Sequence, residues 1–130
     1  MSQNHLRPAP SRTVRTLAGT TTVTLHGELD LRTAIPLTVQ LDTLTSGPCP
    51  DLVLDLRPLS FVDCAGLRVL CRTRNRVRAR HGRLRLIATD DGFLRILRAA
   101  GLRGAFEIHS ALPAAEVGTA SVDASCVGMG

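Results

Sequence analysis

The run DLVLDL, residues 51–56, constrains the fold more than any other stretch. Leu52, Val53 and Leu54 follow one another without a polar residue between them, so a strand built from them is covered on both faces, as central parallel strands are. Parallel neighbours cannot be joined by a tight turn and require long crossovers, which helices supply. The flanking sequence has the matching period. Ala34, Leu37, Leu41 and Leu44 follow an i+3, i+4, i+3 rhythm, and beyond Pro58 a second helix offers Leu67, Leu70, Val77 and the stem of Arg74 to the inside.

The remaining elements fall around this unit. Residues 13–17 and 21–26 are Thr/Val-rich runs separated by Ala18-Gly19-Thr20, which reads as a hairpin. The first helix takes Thr33 as its N-cap, which places Pro36 in the first turn, where no backbone donor is lost, and Gly47-Pro48 stops it. The second helix starts at Asp63 or Cys64 and ends at Gly82. A strand over 83–88 alternates, a short helix over 92–100 turns Phe93, Ile96 and Leu97 inward, and a brief strand covers 106–109. One or two helical turns follow over 112–117. The order β-β-α-β-α-β-α-β-α predicts an α/β domain over 13–118. Its four- to five-stranded mixed sheet has an N-terminal hairpin, then β/α crossovers, and packs with about four helices. Residues 1–12 and 119–130 read as flexible tails.

A chain of 130 residues supports one core. No apolar run approaches the roughly 18 residues of a membrane span, and the amino end lacks the apolar core of a secretory signal. A cytoplasmic protein is expected. The four cysteines form no CxxC pair; Cys64 and Cys71 lie about 10.5 Å apart along one helix, too far for a disulfide, and reduced thiols are expected. The net charge of +5 comes from sixteen arginines, many of them between Arg72 and Arg85. Single-strand binders add aromatic platforms to basic grooves, whereas this chain has three phenylalanines and no Trp or Tyr. The arginines also fall on more than one side of a helix, so a solvated face is expected and direct nucleic-acid binding is not.

GELD at 27–30, LVLDLRPLSFVDCAGLRVL at 52–70 and GLRGAF at 101–106 resemble the STAS domain, and within it the bacterial anti-sigma factor antagonists. The resemblance runs in register over 14–117. It implies a partner switch. Such antagonists bind an anti-sigma factor, usually a serine kinase with a histidine-kinase-like ATPase fold, and thereby free a sigma factor for transcription. The kinase phosphorylates a serine in D-S-x-G, which ends binding, and a phosphatase restores it. Asp63 matches the family aspartate, Gly66 the glycine, and Asp30 the acidic residue of the neighbouring strand-to-helix loop. The phospho-acceptor position holds Cys64, which has no hydroxyl. Ala65 follows it, and Ser60, four residues earlier, matches a loop residue that holds the turn. The implied protein is an antagonist that binds through Asp30, Asp63, Cys64, Ala65 and Gly66, needs no cofactor and is not switched off by phosphorylation at position 64.

Two other readings of Cys64 stay open. A helix N-terminus lowers a thiol pKa and favours a redox switch, while the carboxylates of Asp30 and Asp63 oppose that effect. A nucleophilic enzyme of Cys-x5-Arg type would need an arginine six positions on, where Leu70 stands; the same count from Cys71 reaches Val77. Zinc finds no ligand spacing among His26, Cys64, Cys71 and His81, and His5 and His109 have no partner pattern. The alternative in another class is an accessory or scaffold STAS domain of a membrane transport or signalling complex.

Overall fold

The computed structural model describes residues 12–113. In chain order the elements are strands β1 (Arg12–Leu17), β2 (Thr20–Leu25) and β3 (Gly27–Leu29), helix α1 (Leu31–Leu44), and strands β4 (Asp51–Asp55) and β5 (Leu59–Val62). Helix α2 (Cys64–Ala79), strand β6 (Arg83–Ile87), helix α3 (Asp91–Ala99), a 3-10 turn (Arg103–Ala105) and strand β7 (Glu107–His109) complete them. The main sheet is mixed and runs β1-β2-β4-β6-β7. The β1–β2 hairpin is antiparallel and the other pairings are parallel.

The expected α/β architecture is present, with three α-helices among the described residues rather than about four. The tail expected over 119–130 and most of the turns expected over 112–117 lie outside those residues. So does the tail over 1–12, except Arg12, which already begins β1.

Each parallel step from β2 to β4, β6 and β7 moves in one direction across the sheet. Right-handed crossovers then bring their helices to a single face. Buried Val23, Leu52, Leu54, Leu84 and Leu86 form one cluster there with Leu37 and Leu41 of α1, Leu70 and Val77 of α2, and Phe93 and Leu97 of α3. Leu52, Val53 and Leu54 are at most 1% exposed, so the central run is covered on both faces as its composition requires. Ile96, expected inside, is exposed, because α3 points Phe93 and Leu97, one turn apart, at the core and Ile96 lies off that line.

The arginine run acts as a set of clamps. Arg72 Nη2 lies 2.7 Å from Asp42 Oδ2, Arg76 donates to the Asp42 carbonyl at 3.0 Å and Arg80 to the Thr45 carbonyl at 2.7 Å. These carbonyls belong to the carboxyl end of α1, where cations complement the exposed acceptors and the helix dipole. Arg74 reaches the Ala105 carbonyl instead. Of the described cysteines, Cys64 and Cys71 are free thiols. Cys49 is disulfide-bonded, against the expectation of reduced thiols. Spacing along one helix excludes a Cys64–Cys71 bridge and places no limit on Cys49.

Candidate functional site

Strands β3 and β5 pair in parallel as a separate two-stranded ribbon, with Leu29 opposite Val62. Neither had been expected as a strand. The ribbon ends both strands at the same level, so the residues that follow, Asp30 and Asp63, start two helices side by side. The Asp63 N–H donates to the Leu29 carbonyl at 3.1 Å and locks the two exits together. Ser60 Oγ, expected to hold its own turn, instead donates across the ribbon to the Gly27 carbonyl at 3.0 Å and ties the other end of the two strands together.

Asp30 is the N-cap of α1. Its Oδ1 accepts from the N–H groups of Arg32 and Thr33 at 3.0 and 3.2 Å, while Thr33 Oγ1 accepts from the Asp30 N–H at 3.0 Å. This is a reciprocal capping box. The expected N-cap, Thr33, is instead the third residue of the helix, and Pro36 lies in the second turn. The N–H of Thr33, then desolvation acting in opposition, then the N–H and charge of Arg32 set the Asp30 carboxyl; the net effect holds it below its ordinary pKa.

Asp63 caps α2 through Oδ1, which accepts from the Gly66 N–H at 3.1 Å. The D-x-x-G pattern thus has a local reason at each end. A Cβ on Gly66 would sit 2.8 Å from the Leu29 side chain and carbonyl oxygen and 2.9 Å from Val62. Only glycine lets α2 lie this close to the ribbon. Cys64, the first residue of α2, is exposed, Ala65 is half-buried and Gly66 is buried. The structure therefore brings together all five residues singled out in the sequence, with Cys64 the most open of the last three.

Cys71 is partly buried further along α2 and His81 lies beyond that helix's other end. Among the described residues, no group of three His, Cys, Asp or Glu side chains is placed to hold a metal. No helix among them is long and apolar enough to cross a membrane. The site thus presents the amino ends of two helices, each met by a carboxylate that satisfies it, beside an exposed thiol.

Sequence reasoning passed over the apolar residues left in view around this surface. Leu31, Ile35 and Val39 of α1 are 68%, 67% and 62% exposed, and Phe61 of β5 is 52% exposed. Their signal was available. Once Ala34, Leu37 and Leu41 are assigned to the core, Leu31, Ile35 and Val39 recur every four residues on another side of the same helix.

A family model described as "Mlab, STAS domain" matches residues 13–113. Among solved structures, an anti-sigma factor antagonist from Mycobacterium paratuberculosis superposes with a TM-score of 0.72 at 26% identity, covering 84% of this chain and 95% of that one. The Bacillus cell fate determinant SpoIIAA in its phosphorylated form gives 0.64 at 18% identity, over 82% and 96%. An anti-sigma-factor antagonist (STAS) domain protein from Planctomyces limnophilus gives 0.70 at 15% identity, over 85% and 98%. No curated protein matches the chain at a significant level. With a family model spanning nearly all the described residues and antagonists among the structures that share its fold, this chain belongs to the STAS-domain family.

Proposed function

We propose that the protein is an anti-sigma factor antagonist that binds a serine-kinase-type anti-sigma factor in the cytoplasm and so releases a sigma factor for transcription. Its action is binding rather than catalysis, and it needs no cofactor. The observation that carries the reading is the paired helix start, in which β3 and β5 set Asp30 and Asp63 side by side and leave Cys64 open to a partner. The 26% identical antagonist, similar over nearly its whole length, supports the same role. Asp30, Asp63, Cys64 and Ala65 form the contact surface, and Gly66 sets its height on the ribbon.

A kinase that modifies a serine at this point would add a charge of about −1.5 to −2 between two carboxylates and end binding by repulsion. Cys64 offers no hydroxyl for that transfer. The protein therefore acts as an antagonist that phosphorylation at position 64 does not switch off. Titration calorimetry against the host's serine-kinase anti-sigma factors, with and without ATP, tests this: binding unchanged by ATP is expected, and no binding to any of them would sink the reading. The same fold can serve a second role, that of an accessory or scaffold STAS domain of a membrane transport or signalling complex. Co-purification with a transport or signalling complex in place of an anti-sigma factor would establish that one.

A further inference from the structure

Leu31, Ile35 and Val39 line one side of α1 over about 12 Å of helix. Their exposure leaves a contiguous apolar stripe of the kind that marks an interaction surface. The stripe borders an open groove of about 320 Å³, which Ile35 and Val39 share with Ala65 and Val69 of α2 and which Arg68 and Arg72 edge. Ala65 adjoins Cys64, so the groove continues the surface formed by the two helix starts.

We infer that this groove seats an amphipathic helix of the anti-sigma factor, apolar toward Ile35 and Val39 and acidic toward Arg68. The inference rests on the antagonist reading above and names the chemistry of the partner. Two adjacent helices with an apolar furrow between them accept a third helix by ridge-into-groove packing, with anchors one turn apart. The charge of the edge selects the occupant. Arg72 is closed on Asp42 by two hydrogen bonds, whereas exposed Arg68 has no carboxylate partner among the described residues. A second copy of this chain placed groove to groove would bring two more arginines and no carboxylate among the lining residues, while a partner carrying Asp or Glu on that flank neutralises the edge. The chain's net charge of +5 draws the same kind of partner at long range.

Three variants, Ile35→Asp, Val39→Asp and Arg68→Glu, change only exposed side chains and are expected to unfold at the wild-type temperature. Calorimetry against an anti-sigma factor that binds the wild type should find each weakened about tenfold or more, with a shallower salt dependence for Arg68→Glu. In Ile35→Cys, maleimide should label position 35 freely in the full-length protein alone, read by mass spectrometry. The bound anti-sigma factor should slow that labelling about tenfold. Wild-type affinity in all three variants, while Asp63→Arg abolishes binding, would overturn the groove inference and leave the antagonist reading standing. Protection of position 35 in the free protein would also overturn it, in favour of a second copy if the protein sediments as a dimer and of the chain's own segments if it sediments as a monomer. Failure of every anti-sigma factor to bind the wild type would overturn both.

Discussion

At Gly66 two needs meet on one residue: its N–H satisfies the Asp63 carboxylate, and its missing side chain lets α2 approach Leu29 and Val62. Gly66→Ala forces atoms at 2.8–2.9 Å, two of them on Leu29, to move. We expect it to cost about 1–3 kcal/mol in urea unfolding and to weaken partner binding by shifting α2. Asp63→Ala removes one cap and should cost about 1 kcal/mol. Asp63→Arg adds a cation at a helix amino end, so it lowers the unfolding temperature as well as partner binding. The most informative residue is Cys64. Cys64→Ser should leave the fold unchanged, since the side chain is exposed and the two are nearly the same size, and should supply the hydroxyl that a serine kinase needs. Mass spectrometry after incubation with kinase and ATP should find phosphate at position 64 in that variant and none in the wild type. This motif was legible in the sequence because an N-cap and a close-packed glycine act within four residues. The exposed stripe on α1 is less legible, because Leu31, Ile35 and Val39 repeat at a helical spacing much like that of the inner face and only the fold decides which stripe is covered.

Among the elements, α1 departs most from its sequence reading. Placing Thr33 at the N-cap kept Pro36 harmless in the first turn, but the Asp30 capping box starts the helix three residues earlier. Pro36 then leaves the Arg32 carbonyl without its helical donor. The helix tolerates this near its amino end, where Arg32 is exposed and water can serve the carbonyl. Pro36→Ala should therefore stabilise the protein, by about 1–2 kcal/mol after the greater freedom of the unfolded chain is subtracted; a drop in unfolding temperature would contradict this reading. The ribbon of β3 and β5 escaped detection for a different reason. Strands of three and four residues carry too little pattern, and their pairing depends on contacts about thirty positions apart. The hairpin, the central strand and α2 were legible because each repeats its period long enough to declare a face.

For the molecule as a whole, the sheet's parallel edge is held by charge. Arg83 forms two hydrogen bonds to Glu107 across β6 and β7, and His109 lies 2.8 Å from the same carboxylate. The Arg83 hydrogen bonds lead among the causes that hold the Glu107 pKa at about 2 against an ordinary 4.5. A depressed carboxylate stabilises the fold above its unfolded pKa. That contribution is present above about pH 4.5 and is lost as the pH falls toward about 2. With the pair partly open to solvent, it amounts to about 0.5–1 kcal/mol. Glu107→Gln should flatten the acid limb of the stability curve over that interval, measured by thermal unfolding from pH 2 to 6. The arginines that raise the net charge largely serve such contacts, which composition alone could not reveal because their partners on α1 and β7 lie more than twenty residues away. As proposed above, this molecule binds an anti-sigma factor through the paired helix starts, and Cys64 leaves that binding without a phosphorylation switch. The direct test is calorimetric titration of the protein, its Cys49 disulfide intact, and of Cys64→Ser with the host's serine-kinase anti-sigma factor, each with and without ATP. Both proteins should bind tightly without ATP, and adding ATP should end binding for Cys64→Ser alone. ATP-dependent loss of the wild-type complex, or no complex with either protein, would contradict it.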